Sequence, residues 1–155
     1  MSKHKGNGVE KMKKIVINKC YGGFGLSHKA IMRYAELKGI KLYPWVKKRT
    51  LEIYEVETME ELMKKTDHPS IHYTTVSKEE YMKLEKQNKS NDVYFCSFDI
   101  DRTDDVLIQV IKEMGIKANC FASDLKIIEI PINVEYTIEE YDGIEWVAEK
   151  HRTWN

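Results

Sequence analysis

The segment from Ile15 to Gly39 places a β-branched strand, a glycine-rich bend and a helix directly after one another: IVINKCYGGFGLSHKAIMRYAELKG. The strand is predicted to end at Asn18, and the helix to run from Ser27, a common N-cap residue, to about Lys38. Such a bend brings backbone amides close together, and the positive end of the helix dipole adds to their attraction for an anion. The segment therefore predicts a strand-to-helix junction and indicates a ligand, but no reaction.

Further helices are predicted from capping signals and from the spacing of apolar residues. Capping boxes predict short helices at about 59–65 and 78–86. A longer helix is predicted to begin near Thr103, which would cap it, and to stop at Gly115, because the apolar residues between them form one stripe at helical spacing. This helix and the one that follows the glycine bend are the two main helices of the prediction.

Strands are predicted for most of the remaining chain. The segment at 41–57 suggests one or two strands, and short strands are expected at 71–76 and 93–98. From Leu125 onward the chain reads as β, with Asp142 and Gly143 as a strong two-residue hairpin signal. We therefore predict an α+β fold, with a mixed or antiparallel sheet, helices largely on one side and a C-terminal β-hairpin.

Length and charge restrict the classes of protein to which the chain can belong. At 155 residues it is most simply one domain, which we place at 14–155 after a disordered basic tail at 1–13. The 25 basic and 25 acidic side chains cancel, which argues against a surface that binds a nucleic acid duplex. No segment approaches the roughly 18 to 20 apolar residues of a membrane helix, so no membrane partner is expected.

The cysteines and histidines form no pattern that indicates a metal, a cofactor or a reaction. Cys20, Cys96 and Cys120 are widely spaced and lack C-x-x-C pairing, which favours a reducing cytoplasm over a disulfide framework. The five histidines show no H-x-x-x-H spacing, so no metal site is predicted. No Ser-His-Asp or Cys-His arrangement follows from the spacing, so the chain is predicted not to be an enzyme.

The glycine bend KCYGGFGLS matches neither standard phosphate-binding motif. No G-K-[ST] closes it, and His28 stands where the dinucleotide fingerprint has its third glycine. A ligand could still rest on Tyr21 or Phe24 while backbone amides hold its phosphate. The alternative is a tight connection whose glycines only supply positive φ angles, with Phe24 in the core.

A second loop, SFDIDRTDD at 97–105, contains D-x-D-x-T at Asp99, Asp101 and Thr103. This spacing resembles the nucleophile motif of haloacid dehalogenase-type phosphotransferases, but only about 50 mostly β residues follow it, too few for that family's later βα units. The alternative is a helix start at which Thr103 caps the backbone. Arg102 is not explained by capping, and an arginine at this place could meet a phosphate or stack on a base.

Two other basic segments are weaker candidates. YPWVKKRT at 43–50 interleaves aromatic and basic residues around Arg49, either as a stacking platform for a nucleotide or as an edge strand with a solvated face. HRTW places Arg152 and Trp154 after the last predicted strand, where a tail often contacts another subunit. Arg49 and Arg152 are therefore added to the predicted site.

The motifs together resemble a family of small proteins encoded by bacteriophages and prophages. The resemblance rests on IVINKCYGGFGLS, DIDRTD, LIQVIKEMG, LKIIEIP, EEYDGIE and VAEKHRTW and spans nearly the whole chain after residue 14. The family pattern has a serine or arginine where Asp99 stands and a proline after RTD, so this chain departs there. A family without that aspartate would lack the nucleophile of a dehalogenase-type enzyme.

Small phage proteins with a ligand-type loop and no catalytic residues are similar to the Thoeris anti-defence proteins, which as a class sequester cyclic ADP-ribose isomers. The resemblance implies an oligomeric sponge in the host cytoplasm that binds a cyclic nucleotide-derived immune signal without cleaving it. The alternatives are a magnesium-dependent phosphohydrolase that uses the D-x-D-x-T loop and a protein-directed inhibitor of a host enzyme. The predicted ligand-binding residues are Lys19, Tyr21, Gly22, Gly23, Phe24, Gly25, Ser27, Arg49, Arg102, Thr103 and Arg152.

Overall fold

The structure, a computed structural model, describes residues 10–47, 53–55, 70–151 and 154. These residues form an α+β fold, as predicted. The helices in the described ranges are α1 (His28–Lys38), α2 (Lys78–Lys86) and α3 (Asp105–Met114). The strands are β1 (Met12–Asn18), β2 (Tyr43–Lys47), β3 (Ile53–Glu55), β4 (Ile71–Thr74), β5 (Tyr94–Phe95), β6 (Leu125–Pro131), β7 (Tyr136–Tyr141) and β8 (Ile144–Glu149).

Within the described ranges, the strands pair in three small antiparallel sheets and not in one larger sheet. β1 pairs with β6 along its whole length, from Met12 opposite Pro131 to Asn18 opposite Leu125. β2 lies between β3 and β4, and β5 adds to the free edge of β4. β7 and β8 form the predicted C-terminal hairpin. Its turn residues Asp142 (φ 50°) and Gly143 (φ 88°) both have positive φ, as a tight hairpin turn requires.

The helices begin and end largely where the capping signals place them. Ser27 has extended backbone and accepts a hydrogen bond from the amide of Ala30, and Gly39 ends α1 in the left-handed region at φ 69°. Ser77 caps α2 in the same way through the amide of Glu80. The helix predicted at 59–65 lies outside the described residues.

The start of α3 corrects the predicted cap. Asp104, not Thr103, accepts hydrogen bonds from the amides of Val106 (2.8 Å) and Leu107 (3.0 Å). The helix consequently begins at Asp105. Capping needs a side-chain oxygen one residue before the first helical turn. Arg102 and Thr103 form a backbone turn, so Asp104 occupies that position.

Two predicted boundaries also move. β1 begins at Met12, so Met12 and Lys13 belong to a strand and not to the predicted tail, whose residues 1–9 lie outside the described part. The strand expected at 93–98 shortens to β5, because 3₁₀ turns occupy Asn91–Val93 and Ser97–Asp99 on either side of it.

The core lies where β1, α1 and α3 meet. Ile15, Val16 and Ile17 are consecutive and all buried, so β1 is covered on both faces. Leu107 and Val110 of α3 are fully buried in the cluster that contains Val16. Burying such a side chain contributes about 1.5–3 kcal/mol, so these contacts fix α3 against β1. None of the helices in the described ranges has both the length and the apolar character needed to cross a bilayer.

Candidate functional site

The glycine bend is packed against the turn of the C-terminal hairpin. Gly22 (φ 117°) and Gly23 (φ 106°) both have backbone conformations that favour glycine. The amide of Gly22 donates to the carbonyl of Asp142 at 3.3 Å. A Cβ placed on Gly143 would lie 2.3 Å from the nitrogen of Gly23, so the two backbones touch without room for a side chain. The structural alternative therefore accounts for these glycines.

Gly25 is required for a different contact. A Cβ at Gly25 would lie 2.8 Å from the Sγ of Cys120, and its carbonyl accepts a hydrogen bond from the Ser123 hydroxyl at 2.7 Å. Ser123 in turn accepts a hydrogen bond from the amide of Cys120. The third glycine thus lets the loop at 120–123 approach the bend closely.

Ser27 contacts the rest of the fold as well as its helix. Its hydroxyl donates to the carbonyl of Lys117 at 2.7 Å, and its amide donates to the carbonyl of Ala118 at 2.8 Å. The same hydroxyl accepts the capping bond from Ala30. The hydroxyl and the amide of Ser27, which were predicted to bind a ligand, are therefore both hydrogen-bonded within the fold.

Asn18 is a buried polar residue that holds the bend and the hairpin together. Its side-chain nitrogen donates to the carbonyls of Cys20 and Gly143, both at 2.7 Å. Its side-chain oxygen accepts from the amides of Cys20 and Asp124. Burying an amide group destabilises the fold unless the group is hydrogen-bonded, and both the nitrogen and the oxygen of the Asn18 side chain have partners.

Arg102 forms a buried ion pair with Glu145 of β8. Its two terminal nitrogens contact the two carboxylate oxygens at 2.7 and 3.0 Å, which is the bidentate geometry that arginine favours. Both side chains are about nine-tenths buried, with 12% and 9% exposed. Glu145 also accepts the backbone amide of Asn18 at 2.8 Å. The predicted role of Arg102 as a phosphate clamp has no support from this geometry, because its charge is already neutralised.

The guanidinium of Arg102 also stacks on aromatic rings. It lies 3.5 Å from the ring centre of Phe24 and 5.7 Å from that of Phe98. Phe24 is half-buried and packs against the core cluster. The Phe24 ring therefore joins Arg102 to the core, whereas Phe98 is 63% exposed.

The D-x-D-x-T loop is held by its own hydrogen bonds. Asp101 accepts from the hydroxyl (2.6 Å) and the amide (2.8 Å) of Thr103 through one carboxylate oxygen. These two bonds, the hydroxyl first, lower the pKa of Asp101 below its ordinary value. Within the described ranges, no three His, Cys, Asp or Glu side chains are placed to hold a metal ion together. His28 instead bonds to the Tyr73 hydroxyl at 2.7 Å.

Four exposed aromatic side chains belong to the bend and to segments that contact the bend or Arg102. Gly22 contacts both Asp142 and Ala122. Each of these three residues directly follows an aromatic residue in the sequence: Tyr21, Tyr141 and Phe121. We call the four side chains the aromatic rim: Tyr21 (63% exposed), Phe121 (80%), Tyr141 (72%) and Phe98 (63%), the last beside Arg102. Lys19, at the start of the bend, is exposed as well.

Sequence reasoning missed the residues that organise this region, and two predicted residues cannot be placed in it. Asn18 is a polar residue in an apolar strand, which was a signal for a buried hydrogen-bonding role. Glu145 gave no such signal among the many acidic residues of the C-terminal third. Arg49 and Arg152 lie outside the described residues.

Comparisons of the chain with protein-family models, with curated proteins and with solved structures found no match.

Proposed function

We propose that this protein binds and sequesters a cyclic nucleotide-derived signal, such as a cyclic ADP-ribose isomer, without cleaving it. The observation that carries the proposal is the aromatic rim, whose four side chains are each at least 63% exposed. Three of them flank the backbone contacts of Gly22, and Phe98 lies beside Arg102. The resemblance to Thoeris anti-defence proteins supplies the ligand class.

Stacking on the rim provides the binding energy in this proposal. Base–aromatic stacking contributes about 1–3 kcal/mol per base and tolerates different bases. The loops that carry the rim are fixed by the bonds of Asn18 and Ser123, so little order has to be gained on binding. Lys19 supplies a positive charge for the phosphate, whereas the neutral Arg102–Glu145 pair positions Phe24 and Phe98.

The proposed protein acts by stoichiometric capture in the cytoplasm, as the resemblance implies. We also infer a homo-oligomer, because Trp146 on the hairpin and Trp154 after it leave apolar surface exposed outside the rim. Light scattering coupled to size exclusion measures this directly, and a monomeric mass would contradict the oligomer without affecting ligand capture.

Ligand capture is tested by incubating the protein with cyclic ADP-ribose isomers and cyclic dinucleotides. Free ligand is removed by desalting, the protein is denatured, and the released molecules are identified by mass spectrometry. We expect one of these ligands to be recovered intact at a stoichiometric amount. Recovery of an altered ligand would contradict sequestration and favour the phosphohydrolase alternative.

Variants of the rim locate the ligand. Tyr21→Ser and Phe121→Ser each remove an exposed ring, so we expect the fold to persist while ligand affinity falls about 10-fold or more. Met82→Ser removes an exposed apolar side chain of α2, outside the rim, and is the matched control. Equal affinity of the two rim variants and the control would place the ligand elsewhere.

A protein-directed inhibitor is the second candidate, and the exposure of the rim also favours it. Exposed aromatic side chains are enriched at protein interfaces and often supply most of the binding energy there. This candidate predicts no retained small molecule in the desalting experiment. It also predicts that Tyr141→Ser weakens the complex with a host protein.

A further inference from the structure

A second open site lies between β1 and α3. It is a groove of about 610 Å³, which falls in the size range of small-molecule sites. Its lining includes the apolar side chains of Met12 and Ile108 and the polar side chains of Thr103 and Gln109. Three lysines also line it: Lys13, Lys14 and Lys112.

The lysines of the groove differ in how well they are paired. The Lys13 ammonium donates to the carbonyl of Val134 at 2.7 Å and lies 4.6 Å from the ring centre of Tyr136. Lys14 and Lys112 line the same groove. The neighbouring Lys14 ammonium lowers the pKa of Lys112, and the charge of Glu129 opposes this effect in part. The nearest carboxylate to Lys14 is Glu129, at 4.0 Å, the outer limit of an ion pair.

The acidic side chains of the groove do not neutralise this pair of lysines. One oxygen of Glu113 accepts from Arg33 at 3.1 Å, and the other accepts from Gln109 at 2.9 Å. Asp105 lies in the first turn of α3, where the helix dipole favours a negative charge. The two lysines therefore share the carboxylate of Glu129, which lies 4.0 Å from the Lys14 ammonium.

We propose that this groove binds a phosphorylated small molecule, with a diphosphate group held between Lys14 and Lys112 and a ring or other apolar part covering Met12 and Ile108. An anion between the two ammonium groups replaces their mutual repulsion with two attractive, charge-assisted contacts. Thr103 and Gln109 lie in the same lining and offer further hydrogen bonds.

This site is independent of the aromatic rim. Lys14 lies four residues before Asn18 in β1, which at the rise of an extended strand is about 13 Å. The proposal therefore does not rest on the proposed function, and either can fail alone.

The test is titration calorimetry of the full chain at low ionic strength, because exposed charges are screened by salt. The probes are inorganic pyrophosphate, ADP and adenosine. We expect pyrophosphate to bind, ADP to bind at least as tightly because of its ring, and adenosine to bind far more weakly. Failure of both pyrophosphate and ADP to bind would overturn the proposal.

Variants separate this groove from other sites. Lys14→Gln and Lys112→Gln should each weaken pyrophosphate binding about 10-fold or more, whereas Lys112→Arg, which keeps the charge, should retain most of it. Lys126→Gln is the matched control, since Lys126 is an exposed lysine of the paired strand β6. ADP binding that survives the groove variants and is lost in Tyr21→Ser would overturn this proposal and support the rim as the nucleotide site.

Discussion

The two ends of β1 differ in how their charged groups are paired and buried. At the end that leads into the glycine bend, Asn18, Arg102 and Glu145 are buried, and their polar atoms bond to one another and to nearby backbone. At the other end, Lys14 and Lys112 line an open groove, and the carboxylate of Glu129 lies 4.0 Å from Lys14. One strand thus joins a closed polar network to an open groove that is rich in lysine.

This difference shows that a conspicuous sequence motif and an open groove need not coincide. The glycine-rich end carries the conspicuous motif, yet its glycines are used by backbone contacts with Gly143 and Cys120. The groove carries no motif, because its lysines come from a strand and a helix about 100 residues apart in the chain. Glycines in a bend allow another group to approach the backbone closely, and here those groups are other residues of the same chain.

The largest effect is expected from breaking the closed end. Glu145→Ala leaves the buried guanidinium of Arg102 without its counterion, so the free energy of unfolding should fall by about 3–5 kcal/mol. Denaturant unfolding followed by circular dichroism measures this. Glu149→Ala removes an exposed carboxylate from the same strand and should change stability by no more than about 0.5 kcal/mol. Equal effects of the two variants would show that the ion pair is not important for stability.

A double variant sharpens the assignment. If Arg102 and Glu145 act as a unit, Arg102→Ala combined with Glu145→Ala should cost less than the sum of the single changes. Additive losses would contradict the direct coupling seen in the bidentate contact.

The next largest effect tests the backbone contact of the bend. Gly143→Ala combines a positive φ with a Cβ that would meet the backbone nitrogens of Gly22 and Gly23, so we expect a loss of about 2–5 kcal/mol. Gly39→Ala is the matched control, since Gly39 has a positive φ but open space around it. Its loss should be only about 1–2 kcal/mol. Thermal unfolding compares the two, and similar losses would argue against tight packing of the hairpin turn.

A smaller effect is expected at the start of α3, beside the open groove. Asp104→Ala removes the N-cap and should cost about 0.5–2 kcal/mol, whereas Asp104→Asn keeps a capping oxygen and should cost less. Thr103→Ala should cost less than Asp104→Ala, because Thr103 does not cap the helix. A larger loss for Thr103→Ala in denaturant unfolding would restore the original prediction.

Asp104 also makes the stability of the fold depend on pH. Burial alone would raise the pKa of Asp104, but the hydrogen bonds from Lys38 and from the amide of Leu107 outweigh it, and the pKa lies below its ordinary 3.8. A lowered folded-state pKa stabilises the fold above 3.8, and this contribution is lost as the pH falls through the folded-state value. Asp104→Asn should therefore lose less stability than the unmodified chain between neutral pH and the acid range.

The local parts of the fold were predictable from the sequence. Ser27 and Gly39 bound α1, Ser77 begins α2, and Asp142 with Gly143 forms the hairpin turn, as predicted. Each of these features depends on a few neighbouring residues and their backbone preferences. The cap of α3 was wrong by one residue, because Thr103, Asp104 and Asp105 are all suitable by type and only the path of the preceding turn decides among them.

The candidate site was only partly predictable. The sequence assigned the glycine bend and Arg102 to one predicted site, and in the structure Arg102 stacks on Phe24 of that bend. It could not assign Glu145 to Arg102, because 43 residues separate the partners. The groove was missed for the same reason, since it exists only once α3 packs on β1.

The contact between Asn18 and Gly143 spans 125 residues of the chain and sets an order for folding during synthesis. Until residues 144–149 have left the ribosome, Arg102 has no carboxylate and the bend has no hairpin turn to pack against. Contacts of such long sequence separation slow folding and leave earlier segments exposed in the meantime. A nascent chain of this protein would thus carry an unfinished β1 junction until β8 has been synthesised.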